Sequence, residues 1–207
     1  PLTFRDNSKG NGNWHADLVH EYQPAGITHL HNDTIPKVGG DTLWASGYAA
    51  YDKLSPAFQN FLDGKTAIYR SAHQYIDRND PLSGPKYIER EHPIVRTHPA
   101  TGWKYLFVNR GMTERIVGLE PAESKLILEH LFSVYEKNLD IQVRWNWVSE
   151  HGLGTSAIWD NRIANHNAVW DHEGKQARHG TRVTSLAEVP YFDPDLKSQR
   201  QALGLSE

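Results

Sequence analysis

The residues best suited to chemistry are scattered along this chain. His15 and Asp17 stand one residue apart in NWHADL, and His166 follows far downstream in IWDNRIANHNAVWD. On a strand, residues i and i+2 point to the same face, so His15 and Asp17 could reach a single ion together. Two imidazoles and one carboxylate on one side of a metal leave the opposite positions open. Non-haem Fe(II) oxygenases use that arrangement. His166 is the best third ligand. The alternatives His151, His172 and His179 stand in Gly-rich or polar segments, where a solvated imidazole is the ordinary expectation. Taken alone, His-x-Asp is weak evidence, because a strand-edge pair bonded to backbone accounts for it as well.

The neighbouring segments strengthen it. Arg178 and Arg182 are four apart in QARHGTRVTSL. Near a metal, each guanidinium could hold an anion through a two-pronged bond. Thr42 follows GGD at the start of an expected strand, where its hydroxyl adds a neutral donor. An oxygenase that uses 2-oxoglutarate needs such a set. The keto acid chelates iron through its 1-carboxylate and 2-keto oxygen, and its far carboxylate needs an arginine and a hydroxyl. For the arginine pair alone, a solvated salt-bridge face is the simpler account.

Composition bounds the setting. A chain of 207 residues with 38% hydrophobic and 23% charged residues suits one globular domain. A net charge of −3 offers no basic footprint for nucleic acid. No apolar run approaches the ~18 residues that a membrane helix needs. With no cysteine, disulfides and thiolate metal sites are excluded, and any metal must use His, Asp, Glu or backbone oxygens. No targeting signal is visible, so the expected compartment is the cytoplasm.

The elements that must position these residues are mostly strands. Alternation and turn residues predict strands over 14–19, 25–33, 42–46, 65–70, 141–147, 155–161 and 181–189, with two short ones within 92–109. Helices are expected over 47–54 and over 55–64, the latter with Ser55 as N-cap, Pro56 at the first position and Gly64 past the end. The clearest helix spans 121–138, with Leu126, Leu128, Leu131, Phe132 and Tyr135 as its apolar face. Residues 71–91 are polar and turn-rich and read as a long loop or lid. About eight strands with inserted helices favour a barrel or sandwich closed on itself over a doubly wound sheet.

Five blocks in order carry a family resemblance: NWHADL, GGDTLWASGYAAYDKLSP, HPIVRTHPATGWKYLFVN, AIWDNRIANH and the closing Arg-x-x-x-Arg. From about residue 11 to residue 189 the chain resembles taurine dioxygenase and its relatives, the Fe(II)- and 2-oxoglutarate-dependent sulfonate and alkylsulfate dioxygenases. The long polar insert after residue 70 is closer to the fungal sulfonate dioxygenases than to the bacterial ones. The resemblance implies a double-stranded β-helix, the jelly-roll or cupin-like barrel. It implies His15, Asp17 and His166 as iron ligands, and Thr42 with Arg178 on the far carboxylate of 2-oxoglutarate. Arg182 would hold the anionic group of the substrate, with Asn11 and Trp159 also lining its site. Phe107 would be core rather than pocket wall. Fe(II), 2-oxoglutarate and O₂ would be required, and a small sulfonate would yield sulfite and an aldehyde beside succinate and CO₂. An alkyl sulfate, a carboxylate or a purine would suit the same chemistry, and a degenerate metal-binding barrel without turnover is the reading from another class. Members of the family carry a segment ahead of His-x-Asp, so one domain lacking that segment is expected, and a homo-oligomer is compatible with the family.

Overall fold

The computed structural model describes residues 14–172 and 176–205. In chain order the elements are β1 (Ala25–Thr34), β2 (Thr42–Ser46), α1 (Gly47–Asp52), α2 (Pro56–Leu62), β3 (Thr66–Ile76), β4 (Pro85–Pro93), β5 (Val95–Thr97) and β6 (Lys104–Leu106). There follow β7 (Thr113–Ile116), α3 (Pro121–Lys137), β8 (Gln142–Trp145), β9 (Thr155–Asp160), β10 (Ala164–Ala168), β11 (His179–Leu186) and α4 (Gln199–Ala202).

Two antiparallel sheets position the functional residues, ordered β11-β1-β9 and β10-β2-β8. The chain passes from one sheet to the other between β1 and β2, β8 and β9, β9 and β10, and β10 and β11. That winding is a double-stranded β-helix, with two facing sheets that do not close into a continuous barrel. Register fixes which side chains share a face, because cross-strand partners point the same way. Leu30 pairs with Arg182 and Thr28 with Trp159 in the first sheet. His166 pairs with Trp44, and Ala168 with Thr42, in the second. The two faces meet where the Trp44 and Trp159 rings approach to 5.5 Å between centroids.

The opposite face of the second sheet contributes Leu43 and Ala45 to the main apolar core. Leu128, Leu131, Phe132 and Tyr135 of α3 pack there with Val95, Leu106 and Phe107. Phe107 is therefore a core residue, with the fully buried Arg96 guanidinium 4.3 Å from its ring centroid. Pro121 opens α3 behind a capping box of Glu120 and Glu123. Leu126 was expected on the buried face of α3 but is 74% exposed. Among the described residues no helix is long and apolar enough to cross a membrane.

Three expectations need correction. Residues 14–19 form no strand: His15 makes only an isolated bridge to His166, and the chain then turns at 17–20. Leu18 adopts φ 55°, a left-handed conformation that costs an L-residue about 1–2 kcal/mol. Residues 71–91 are not a loop. β3 continues to Ile76 and β4 returns from Pro85 through a short 3₁₀ turn at Pro81–Ser83. Both faces of that hairpin end are largely solvated, so hydrophobic alternation is lost although the pairing persists. β10, sequence ANHNA, was missed because asparagine is rare in strands. Its Asn165, His166 and Asn167 are nevertheless buried, and Asn165 Nδ2 donates to the Val108 carbonyl at 2.7 Å.

His92 on β4 supplies a pH dependence. Its Nε2–H donates to the Glu21 carbonyl at 2.8 Å, and burial lowers its pKa from 6.5 to about 4. Arg96 and Arg90 push the same way, whereas the hydrogen bond opposes the shift. Between these values the unfolded chain binds more protons than the folded one. The stability held by neutral His92 is thus complete above pH 6.5 and is lost as pH falls towards 4. We predict that melting temperatures measured across this window fall less steeply for His92→Gln than for the unmodified chain.

Candidate metal centre

The candidate metal-ligating residues are brought together by backbone hydrogen bonds. His15 N–H donates to the His166 carbonyl at 3.0 Å, and His166 N–H donates to the His15 carbonyl at 2.7 Å. Two antiparallel residues that exchange both bonds present their side chains on one side. The two imidazole centroids lie 4.2 Å apart, inclined at 47°. Asp17 belongs to the turn that follows. The Asn161 side chain holds both its backbone polar groups, accepting from Asp17 N–H at 2.9 Å and donating to the Asp17 carbonyl at 3.1 Å. The Asp17 carboxylate oxygens stand 3.7 Å from His15 Nε2 and 3.9 Å from His166 Nε2.

All three candidate ligand atoms lie within 4.8 Å of one another. The Asp17 and His166 side chains are each 7% exposed and that of His15 is 33% exposed, so the centre is enclosed with one open flank. Burial holds the His166 pKa well below the ordinary histidine value, and the charges of His15 and Arg182 push the same way. A neutral imidazole is the form that ligates metal. Two imidazoles and a carboxylate, in a chain without thiolates, suit Fe(II).

The arginines take different places. Arg182 Nη1 donates to both Asp17 carboxylate oxygens, at 2.8 and 2.9 Å. Arg178 Nη2 donates to Thr42 Oγ1 at 3.2 Å, and Trp147 Nε1 donates to the same oxygen at 3.0 Å. With both acceptor directions used, the Thr42 O–H is left to donate elsewhere. Burial lowers the Arg178 pKa, and Asp41 opposes this from a distance. Asp41 itself is engaged by Arg144 Nε at 2.6 Å and Asn146 Nδ2 at 2.8 Å. Among the described residues no carboxylate forms an ion pair with Arg178, so a half-buried cation and a hydroxyl donor face the same spot. That is a candidate anion seat.

Trp159 packs on the site, its ring 5.2 Å from that of His166. With Trp44 it floors a cleft of about 350 Å³, walled by Val143, Trp145, Ala157 and Ile158 between the edges of β8 and β9. Seven of the eight expected site residues are therefore described, all in or beside the inter-sheet space, and Asn11 lies outside the described residues. Trp147 and Asn161 were not anticipated. Asn161 carried a readable signal, because it sits two residues after Trp159 in the block that resembles the family.

A jelly roll that holds two imidazoles and a carboxylate between its sheets is the framework of a mononuclear non-haem iron oxygenase. Residues 3–184 match the family described as "Taurine catabolism dioxygenase TauD, TfdA family", and the chain belongs to it. It is 40% identical over 192 residues to a putative alpha-ketoglutarate-dependent sulfonate dioxygenase of Schizosaccharomyces pombe, covering 92% of this chain and 48% of the relative. It is 38% identical over 201 residues to the alpha-ketoglutarate-dependent dioxygenase oryG of Aspergillus oryzae, covering 92% of this chain and 58% of that one. Among solved structures, a taurine dioxygenase from Burkholderia xenovorans superposes with a TM-score of 0.76 at 34% identity, over 88% of this chain and 59% of that chain. The chain thus spans about half to three fifths of the length of these relatives.

Removal of the carboxylate tests the centre directly. Asp17→Ala is expected to weaken Mn(II) or Co(II) binding, measured by calorimetry, by more than the roughly 10–100-fold that loss of an outer partner causes.

Proposed function

We propose that the protein is an Fe(II)- and 2-oxoglutarate-dependent dioxygenase acting on a small organosulfonate. It hydroxylates the carbon next to sulfur, and the hydroxylated product expels sulfite and leaves an aldehyde. Succinate and CO₂ are the companion products. The observation that carries this reading is the adjacency of two features. The Arg178–Thr42 anion seat lies one strand repeat from His166, because Thr42 pairs with Ala168 and Trp44 with His166 on one face. A repeat of two residues is about 6–7 Å along a strand.

His15, Asp17 and His166 would hold the iron. Bound iron and 2-oxoglutarate supply the oxidising chemistry, in which O₂ is consumed as the keto acid loses CO₂. Arg178 and the free Thr42 O–H take the far carboxylate of the keto acid, and the charge-assisted bond fixes its direction. Arg182 spends only Nη1 on Asp17, so among the described residues its Nε and Nη2 remain available for the substrate's anionic group. One guanidinium then joins the substrate's head to a metal-binding carboxylate and places a single C–H bond towards the centre. Trp159 screens the His166 side from water, and Asn11 is assigned to substrate by resemblance.

A guanidinium holds sulfonate, sulfate ester and carboxylate alike, so product analysis decides the substrate class. Aerobic incubation with taurine, longer alkylsulfonates and alkyl sulfates is expected to release sulfite with stoichiometric succinate. Sulfate release would shift the assignment to sulfate esters, and neither anion would exclude both. We predict that Arg178→Leu raises the KM for 2-oxoglutarate about 10–100-fold, the range for losing a charged hydrogen bond. Arg182→Leu is expected to raise the KM for the sulfonate instead. An unchanged sulfonate KM in Arg182→Leu would remove the role given to that residue.

A further inference from the structure

We propose that Asn161 is a positioning residue for the metal centre, holding the Asp17 backbone so that its carboxylate meets the ion. The proposal rests on Asp17 being a ligand, as argued above. His15 and His166 are fixed by the bonds they exchange, but Asp17 has left that ladder. Its chain turns at once, through Leu18 at φ 55°, a conformation unfavourable for leucine. Something must hold the turn against its local preference.

Asn161 does so with one planar amide. Its Oδ1 accepts from Asp17 N–H at 2.9 Å, and its Nδ2 donates to the carbonyls of Asp17 at 3.1 Å and Ala25 at 3.4 Å. These bonds replace the strand pairing that Asp17 lacks. The residue is 1% exposed, so water does not compete.

The base of this clamp is itself anchored. Asn161 N–H donates to the Gly26 carbonyl at 2.8 Å, tying it to the start of β1. On one side, Asp160 accepts from Arg162 Nε at 2.8 Å and Nη2 at 2.7 Å, and from His98 Nε2 at 3.0 Å. On the other, Arg162 Nη1 reaches Glu188 at 3.2 Å, and the fully buried Arg96 meets the same carboxylate at 2.7 Å. The Asp160–Arg162 strip thus ties the hairpin of β5 and β6 to the segment after β11, with Asn161 at its centre. Asn161 is also five residues ahead of His166. Both ends of the His15–Asp17 segment are therefore held by one strip, 161–166. That strip sets the carboxylate relative to both imidazoles.

The test compares Asn161→Ala with Ser124→Ala. Ser124 Oγ accepts the buried Ile116 N–H at 2.8 Å on α3, so its loss also strands a backbone group, but away from the centre. Melting of the metal-free proteins and Co(II) titration are measured together, the titration at a temperature where circular dichroism shows each variant folded. Both variants are expected to melt lower. Only Asn161→Ala should bind Co(II) about 10–100-fold more weakly and alter the visible Co(II) absorption envelope. Should Asn161→Ala fail to fold, Asn161→Asp keeps the acceptor for Asp17 N–H and loses the donor to the Asp17 carbonyl, and weaker Co(II) binding with an altered envelope is again expected. Wild-type affinity and spectrum in the folded Asn161 variant would overturn the proposal and leave a purely structural residue. Co(II) binding that Asp17→Ala fails to weaken would instead show that Asp17 is no ligand, and the proposal would fall with that reading.

Discussion

The site depends on one small constraint, the exchange of two backbone hydrogen bonds between His15 and His166. These residues are 151 positions apart in the chain, as 166 − 15 shows. Neither belongs to a sheet shared with the other beyond this single bridge. Yet the bridge places two imidazoles next to each other and leaves Asp17 beside both. The rest of the winding supports that contact. β10 must lie against β2 to hold His166, and the turn at 17–20 must reverse to keep Asp17 inside. A functional centre built from a bridge and a turn is less regular than one built on a strand, so it needs more help from buried polar groups.

Charge is arranged around this contact with some economy. Arg182 neutralises the carboxylate between the imidazoles, and His166 is kept neutral by burial. Arg178 is the contrasting case, a half-buried cation met by a hydroxyl and an indole ring rather than a carboxylate. One arginine is paired with a carboxylate of the protein, whereas among the described residues the other meets only neutral groups. In a chain of net charge −3, this local cationic lining concentrates the attraction for a small anion in the inter-sheet space.

Much of this was legible in the sequence. The spacing of His15 and Asp17 brought the two side chains together as candidates, although for an incomplete reason. Strand alternation was invoked to bring both to one face, whereas a bridge followed by a left-handed Leu18 does so. His166, preferred among four histidines, does lie beside His15 and Asp17, yet its strand was invisible because ANHNA buries asparagines that composition assigns to turns. The helix at 121–138 was plain from its caps, but Leu126 shows that helical spacing defines the width of an apolar face only loosely. The hairpin of β3 and β4 was read as a loop because both its faces meet solvent, which erases the period that marks a strand. Asn161 and Trp147 act through backbone or a neighbouring side chain, and residue type alone carries little of that information.

On this reading the imidazole–carboxylate centre and the Arg178–Thr42 seat form one site for iron and a keto acid. Anaerobic titration of the Fe(II)-loaded protein with 2-oxoglutarate, followed by visible absorption, tests it most directly. A weak charge-transfer band of the chelated keto acid is expected, shifting when a sulfonate is added. Folded, iron-loaded protein that develops no band at saturating 2-oxoglutarate would contradict it.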